Sequence, residues 1–169
     1  MRIYTMLETV VGKLFIVAMN GKLSTIHIGE EDFRANEDIN LTIECKEDSL
    51  LLECEMQLKE YFAGDRTSFS LPLERNGTSF QVDVWNKLAE IPYGKTKCYQ
   101  EIAEEVGRPK AVRAVGQANK ANKLPIIIPC HRVIGKNQTL TGYAGTRTEI
   151  KDQLLSLEGA IFRQAKKKE

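Results

Sequence analysis

The first 30 residues alternate between apolar and polar positions in three short runs, a pattern typical of β-strands with one buried face. Asn20-Gly21 separates the second and third runs and predicts a two-residue hairpin, because both residues tolerate the positive φ angles of such a turn. The three runs therefore predict a small antiparallel sheet. Their apolar positions are Ile3, Leu7 and Val10, then Leu14-Phe15-Ile16-Val17, then Leu23, Ile26 and Ile28.

A helix is predicted over residues 49–63, where apolar residues recur at helical spacing, with Ser49 as a candidate cap and Gly64 as a stop. The acidic stretch 29–48 is weakly periodic and contains no motif. The segment 67–77 holds Pro72 and Asn76-Gly77, which indicates a linker. We therefore expect one domain over residues 1–76 and a second over residues 77–169.

The second half predicts three helices. The first runs from Ser79 or Phe80 to Glu90, the second covers about Tyr99 to Val106, and the third runs from Lys110 to about Asn119. Gly107-Arg108-Pro109 separates the last two, which is a helix-turn-helix pattern. A helical hairpin within a core gives much the same pattern, so spacing alone leaves DNA binding as one of two readings.

The third of these helices has unusually small side chains. Ala111, Ala114, Gly116 and Ala118 leave much of its surface bare, with Arg113 as the exception. Such a helix can approach another helix closely, or it can enter the DNA minor groove, which is about 6 Å wide. In the groove, an arginine could wedge into the base stack and fill the space of an extruded base.

Charge is divided unevenly along the chain, although the whole chain of 169 residues has a net charge of only +1. Residues 1–76 carry 8 Lys and Arg against 14 Asp and Glu, whereas residues 77–169 carry 16 against 9. Only the C-terminal half is therefore attractive to a polyanion. Part of that excess lies in the tail 163–168, and charges on solvated faces also segregate by chance.

No apolar run approaches the roughly 20 residues that span a bilayer, and no signal peptide is recognisable, so a cytoplasmic protein without a membrane partner is expected. The four cysteines form no CxxC pair and no dense disulfide pattern, which suits free thiols in a reducing compartment. No metal site is predicted, because only two histidines are present and no ligand pairs are close in sequence.

Pro129-Cys130-His131-Arg132-Val133 is the segment most suggestive of chemistry. A thiol with a pKa of roughly 8.5 becomes a nucleophile when a base or a positive charge favours the thiolate, and His131 and Arg132 could supply these influences. A direct bond between Cys130 and His131 requires a turn, since strand neighbours face opposite sides; otherwise a water must bridge them. The alternative is a buried cysteine packed as a small hydrophobe.

With these residues taken together, the chain resembles the O6-alkylguanine-DNA alkyltransferases, also called methylated-DNA-protein-cysteine methyltransferases. The resemblance is close from Gly77 to Glu158. It implies a two-domain α+β fold, with an N-terminal ribonuclease H-like antiparallel sheet plus helix and a C-terminal helical domain containing a winged-helix-like helix-turn-helix. The segments that carry it are Gly77-Thr78-Ser79-Phe80-Gln81 with Trp85, Ile91-Pro92-Tyr93-Gly94 with Tyr99, Pro109 to Asn122, and Ile126 to Ile134 followed by Leu140-Thr141-Gly142-Tyr143-Ala144-Gly145.

The resemblance also implies roles for individual residues. Cys130 would be the alkyl acceptor, His131 would draw its proton through a water, and Glu158 would orient the imidazole. Asn122 would tie the recognition helix to the active-site strand. Arg113 would replace the flipped nucleotide, and Tyr99 would rotate the 3′ phosphate and donate a proton toward N3 of guanine. Further contacts to DNA would come from Lys110, Ala114 and Gly116, and the base pocket would be formed by Val133, Tyr143, Ala144 and Gly145.

The implied reaction is the direct reversal of DNA damage. A monomer would bind double-stranded DNA containing O6-alkylguanine through the minor groove and transfer the alkyl group to Cys130. Because water does not readily cleave the thioether, and because neither a cofactor nor a regenerating group is expected, each molecule would act once. Two alternatives remain: a non-catalytic binder of alkylated DNA on the same fold, and a thiol hydrolase using Cys130 and His131.

Overall fold

The chain folds into two compact units, Met1–Arg75 and Asn76–Glu169. The architecture comes from a computed structural model, which describes residues 1–135 and 148–162. Within these residues no helix has the length and apolar character needed to cross a membrane.

The first unit is built on a four-stranded sheet in which the first strand along the chain lies between the second and the fourth, and the third pairs with the second. The hairpin predicted at Asn20-Gly21 is present: both residues have positive φ angles, 53° and 75°, as the two-residue turn requires. The first three strands pair antiparallel, as predicted. The strands are β1 (Arg2–Thr9), β2 (Gly12–Met19), β3 (Lys22–Ile28) and β4 (Thr42–Glu44).

The acidic stretch after β3 contains two elements that its sequence did not predict. These are helix α1 (Glu30–Asn36) and strand β4, which pairs parallel to β1, so the sheet is mixed rather than wholly antiparallel. Only Phe33 of α1 is buried, and its ring stacks on Phe15 with the centroids 4.4 Å apart. Because Phe33 is the one buried residue among the seven of α1, the helix has no periodic apolar pattern from which it could have been predicted.

A buried carboxylate joins the end of α1 to the sheet. Glu37 accepts hydrogen bonds from Arg2 at 2.5 and 3.1 Å and from Thr42 at 3.0 Å, and it lies 2.8 Å from His27 Nε2. Burial opposes ionisation of this carboxyl group, but the bonds from Arg2, His27 and Thr42 outweigh burial and lower its pKa. Glu37 therefore remains charged and connects β1, β3 and β4.

Helix α2 (Ser49–Phe62) packs against β1 and β2. Its cap is Asp48 rather than Ser49, because the Asp48 carboxylate accepts the Leu51 N–H at 3.0 Å. Gly64 ends the helix with a φ of +81°. The predicted apolar face is partly wrong, since Leu52 and Met56 are each 47% exposed, whereas Cys54 is buried.

The second unit contains the predicted helices and a pair of two-residue parallel strands. Thr78 and Gln81 form a reciprocal capping box at the start of the first of these helices, α3 (Ser79–Ala89). Trp85 of α3 donates its indole N–H to the Ala118 carbonyl at 2.8 Å. Gly77 is required by the same tryptophan, because a Cβ there would lie 2.6 Å from the indole ring. The elements are α3 (Ser79–Ala89), β5 (Lys97–Cys98), α4 (Tyr99–Glu105), α5 (Val112–Lys120), a 3₁₀ turn (Cys130–Arg132), β6 (Val133–Ile134) and α6 (Thr148–Leu157).

Helices α4 and α5 pack on each other and are joined by a short turn. Gly107 adopts a φ of +77° in this turn, which explains the glycine there. Helix α5 begins at Val112 rather than at Lys110, because the Ala111 N–H bonds to the Arg108 carbonyl in a separate turn around Pro109.

Candidate functional site

The backbone that presents Cys130 is a sequence of tight turns. Pro129 has φ −79° and ψ 64°, and the Cys130 N–H bonds to the Ile128 carbonyl at 2.7 Å, which together define an inverse γ-turn. Cys130–Arg132 then forms a 3₁₀ turn, and only Val133–Ile134 is extended. The expected active-site strand is therefore largely wrong; Pro129 favours the turn because it fixes φ and lacks an N–H donor.

Two asparagines fix these turns to the end of α5. Asn122 donates to the Ile128 carbonyl at 2.9 Å and accepts the Leu124 N–H at 3.1 Å. Asn119, which the sequence did not single out, is buried and donates to the Cys130 carbonyl at 3.4 Å. The position of the thiol is thus coupled to α5 by side chains that bond to backbone.

Cys130 is only 3% exposed. Burial raises the pKa of its thiol to about 11, while a hydrogen bond from Asn122 and the positive charge of Lys151 act in the opposite direction. At neutral pH the resting group is therefore a thiol, and it needs a proton acceptor before it can attack. The surroundings contain the means to favour the thiolate, but they do not ionise it in the resting protein.

His131 is fully buried beside Glu158, and its Nε2 lies 2.7 Å from a carboxylate oxygen. Burial lowers the pKa of His131, so the imidazole is neutral at pH 7. Burial alone would raise the pKa of Glu158, but hydrogen bonds from His131 and Arg132 lower it to about 2. Because an ionised carboxylate only accepts, Nε2 must carry the imidazole proton, and Nδ1 is the basic nitrogen.

Arg132 holds Glu158 in its charged state. The guanidinium donates to both carboxylate oxygens, at 2.8 and 3.1 Å, and to the Ile91 carbonyl at 2.7 Å. The Gly94 N–H also points to the carboxylate, at 3.3 Å. The Ile91–Gly94 segment is therefore bound by its backbone to Arg132 and Glu158, a contact that the sequence did not predict. Arg132 acts on Glu158, and the positive charge that favours the thiolate belongs to Lys151.

Lys151 of α6 is the main site residue that sequence reasoning missed. Its side chain is fully buried, and the ammonium donates to the Val133 carbonyl and lies 6.0 Å from the centre of the Tyr99 ring. Burial lowers its pKa to about 8, although Cys130 raises it. The sequence offered only a weak indication of this role, because Lys151 shares the helical spacing of the buried residues Leu154 and Leu155 of α6.

The predicted DNA-contacting residues lie on α5 and beside it. Arg113 and Ala114 are exposed, and Lys110 is exposed in the turn before the helix. Tyr99 starts α4, and a Cβ on Gly116 would lie 4.0 Å from its ring. This is an ordinary van der Waals distance, so the packing of Tyr99 beside α5 does not by itself require a glycine, whereas Arg113 and Ala114 of the same helix are exposed.

The base-pocket residues are described only in part. Val133 is fully buried, and its carbonyl accepts from Lys151. Tyr143, Ala144 and Gly145 lie outside the described residues. Glu158, expected on the last helix, instead follows α6 by one residue and lies in the turn that ends it.

Comparison with known families matches both units of the chain. The family model for the DNA-binding domain of 6-O-methylguanine DNA methyltransferase matches residues 79–160. The model for the ribonuclease-like domain of the same family matches residues 2–75.

Curated relatives agree with this result. The constitutive methylated-DNA–protein-cysteine methyltransferase of Bacillus subtilis (strain 168) is 50% identical over 164 residues, covering 97% of this chain and 99% of that protein. The methylated-DNA–protein-cysteine methyltransferase of Methanosarcina acetivorans is 56% identical over 108 residues, covering 64% of this chain and 69% of its own.

Solved structures share the fold. The crystal structure of Mycobacterium tuberculosis O6-methylguanine methyltransferase has a TM-score of 0.85 and 38% identity, covering 94% of this chain and 93% of its own. A crystal structure of OGT from the same organism in complex with DNA has a TM-score of 0.83 and 38% identity, covering 93% and 92%. The two-domain α+β fold that the sequence predicted is confirmed.

Replacing Glu158 with glutamine should destabilise the protein by about 3 kcal/mol at pH 7, because the carboxyl pKa is lowered from 4.5 to about 2 on folding. This contribution is complete above the unfolded pKa of 4.5 and is lost as the pH falls toward 2. The E158Q deficit, measured by urea unfolding, should therefore shrink below pH 4.5. E90Q, which changes a carboxylate that is 62% exposed, is the matched control and should have little effect. A deficit at pH 3 equal to that at pH 7 would contradict the ionised state of Glu158.

Proposed function

The chain belongs to the 6-O-methylguanine DNA methyltransferase family, and we propose that it repairs DNA by transferring the alkyl group of O6-alkylguanine to Cys130. The observation that carries this proposal is the buried thiol next to a neutral imidazole whose proton is fixed on Nε2 by an ionised carboxylate. A base of this kind is what a thiol with a raised pKa requires.

The first step is proton transfer. His131 Nδ1 takes the thiol proton through a bridging water, and Glu158, held by Arg132, stabilises the resulting imidazolium. The thiolate then forms a bond to the saturated carbon of the alkyl group, and the bond between that carbon and O6 breaks. The electron pair passes to guanine, toward whose N3 Tyr99 donates a proton. His131 releases the proton that it took from the thiol to water, and Tyr99 regains a proton from water. The products are S-alkylcysteine and unmodified guanine.

Attack requires the nucleotide to leave the duplex, because O6 is stacked within it. We assign this work to the exposed face of α5. Arg113 fills the gap in the base stack, while Ala114 and Gly116 allow close approach to the minor groove and Lys110 contacts a phosphate. Tyr99, at the first position of α4, rotates the 3′ phosphate. The exposed position of Arg113 and the positive charge of the second half support these roles.

The flipped base is received by a pocket that includes the Val133 backbone, with Tyr143, Ala144 and Gly145 from the following segment. Asn122 keeps the thiol aligned with this pocket through its bond to the turn before Cys130. The product thioether is not cleaved by water, so each molecule acts once. We place the protein in the cytoplasm, since the reaction needs Cys130 as a reduced thiol.

Cys130→Ala should abolish transfer of a radiolabelled methyl group from duplex DNA to the protein. DNA affinity, measured by fluorescence anisotropy, should remain largely unchanged, because the thiol is buried and lies outside the exposed face of α5. Cys98→Ala is the matched control, since Cys98 is the other cysteine of this unit and is partly exposed. Transfer that persists in the Cys130 variant would refute the assignment of the acceptor.

Arg113→Ala should slow repair of duplex DNA roughly tenfold or more, since the intercalating side chain replaces base stacking worth about 1–3 kcal/mol. Reaction with free O6-alkylguanine should change little, because a free base need not be flipped. Rates on the two substrates are to be compared in single-turnover experiments. Arg34→Ala, an exposed arginine of the first unit, is the control. Equal losses on both substrates would rule out the base-flipping role.

A further inference from the structure

Asn119 is a polar side chain on the buried face of α5, and neither the proton transfer nor the DNA contacts proposed above use it. It is 3% exposed, and it follows Ala118 and Val115, which are also buried. Asparagine is a poor helix former, and burying an amide is costly unless its polar groups are bonded. An apolar side chain would stabilise α5 better, which indicates that the amide at this position has another use.

Only one end of this amide is bonded within the described part of the chain. Its nitrogen Nδ2 donates to the Cys130 carbonyl at 3.4 Å. Because a carbonyl oxygen only accepts, this bond fixes which end of the amide is the nitrogen. The oxygen Oδ1 is buried, and no donor in residues 1–135 and 148–162 bonds to it. Oδ1 is therefore a buried acceptor with room for a donor, next to the residue that carries the nucleophile.

Asn122, three residues later, differs in this respect. Its nitrogen donates to the Ile128 carbonyl at 2.9 Å, and its oxygen accepts the Leu124 N–H at 3.1 Å. Both ends of Asn122 thus support the backbone around Cys130. Asn119 supports that backbone with one end alone, and its other end is available to a ligand.

We propose that Asn119 is a specificity-determining residue of the alkyl-transfer site, whose Oδ1 accepts a hydrogen bond from the 2-amino group of the flipped O6-alkylguanine. This inference rests on the proposed function and deepens it, because it names a group by which the site recognises its base.

The alkylated base has one kind of donor that suits this acceptor. Alkylation at O6 removes the proton from N1, and N9 carries the deoxyribose, so the N–H groups of the base are those of the 2-amino group. N1, N3 and N7 are acceptors, which an amide oxygen repels. Oδ1 is therefore complementary to the 2-amino group and to no other polar atom of O6-alkylguanine.

The position of the amide agrees with this assignment. The 2-amino group and O6 lie on the same edge of guanine, with N1 between them. Cys130 provides the sulfur that attacks the carbon on O6, and the carbonyl of the same residue is bonded to the Asn119 amide. The helix behind this amide is also fixed, because Trp85 donates to the adjacent Ala118 carbonyl at 2.8 Å. The acceptor is thus held by a rigid element beside the nucleophile.

A buried acceptor of this kind gives selectivity because leaving it without a donor is costly. A base with a 2-amino group satisfies Oδ1, whereas a base without one closes the pocket over an unbonded oxygen. O6-methylhypoxanthine differs from O6-methylguanine only in lacking the 2-amino group. It is therefore the probe that isolates this contact.

The test measures single-turnover rates of methyl transfer from two otherwise identical duplexes, one containing O6-methylguanine and the other O6-methylhypoxanthine. The quantity compared among proteins is the ratio of the two rates, because differences between the duplexes in pairing and flipping are the same for every protein. Asn119→Leu replaces the amide with an apolar side chain of similar size, and Asn119→Ala is a smaller change. Asn86→Leu, at an exposed asparagine of α3, is the matched control. Thermal melting followed by circular dichroism establishes that each variant is folded.

We expect the wild type to favour O6-methylguanine by roughly tenfold or more. Asn119→Leu and Asn119→Ala should lose most of this preference, so that their two rates approach each other, while Asn86→Leu keeps the wild-type ratio. Both Asn119 variants also lose the bond to the Cys130 carbonyl. That loss should slow transfer from both duplexes equally and leave the ratio unchanged, so the ratio separates recognition of the base from positioning of Cys130.

A wild-type ratio in the Asn119 variants would overturn the proposal and leave Asn119 as a support of the turn at Cys130. Equal rates on the two duplexes in the wild type would overturn it without any variant. If Asn119→Leu does not fold, Asn119→Ala decides. Failure of the proposed function gives a different result, because the wild type would then transfer a methyl group from neither duplex, which contradicts alkyl transfer and the role of Asn119 with it.

Discussion

Glu158 is an ionised carboxylate in a buried site, and it remains ionised there because hydrogen bonds from His131 and from its ion-pair partner Arg132, which donates to both oxygens, outweigh the effect of burial. The rest of the site depends on this pair. The carboxylate fixes the imidazole proton on Nε2 of His131, and the guanidinium binds the Ile91 carbonyl, so the segment before α4 is held by the same charges. Removing either partner would leave a buried charge without compensation, which typically costs about 3–5 kcal/mol.

The Cys130 thiol and helix α5 are coupled through hydrogen bonds to backbone. Asn119 and Asn122, at the end of α5, bond to carbonyls on either side of Pro129, while Trp85 bonds to the carbonyl of Ala118 one residue earlier. A displacement of α5 would therefore be transmitted to the cysteine. Under the proposed function, this coupling links the helix assigned to DNA binding with the nucleophile inside one compact unit.

Much of the fold was predictable because its signals are local. The dipeptide Asn20-Gly21 is by itself typical of a two-residue turn, and a Thr78 and Gln81 pair at this spacing is typical of a helix start, here that of α3. The candidate site was predictable where its residues are adjacent, as Cys130 and His131 are. The partners of Arg132 and Lys151 could not be predicted, because Glu158 and Val133 come close to them only after folding. In addition, a charged residue at a core position of a helix, such as Lys151, has no distinctive local sequence pattern. Helix α1 was missed because one buried phenylalanine leaves no periodic apolar pattern. At Cys130 the sequence left a turn or a strand open, since Pro129 allows irregular backbone and the apolar run before it suggests a strand.

Irreversible transfer of the alkyl group to Cys130 can be tested by the intact mass of the wild-type protein after incubation with duplex DNA containing O6-methylguanine. We expect one added methyl group per protein, located on the Cys130 peptide, with repair ending when every molecule carries it. Tight binding without an added methyl group would identify a damage binder instead, and turnover of more lesions than protein molecules would rule out the single-use reaction.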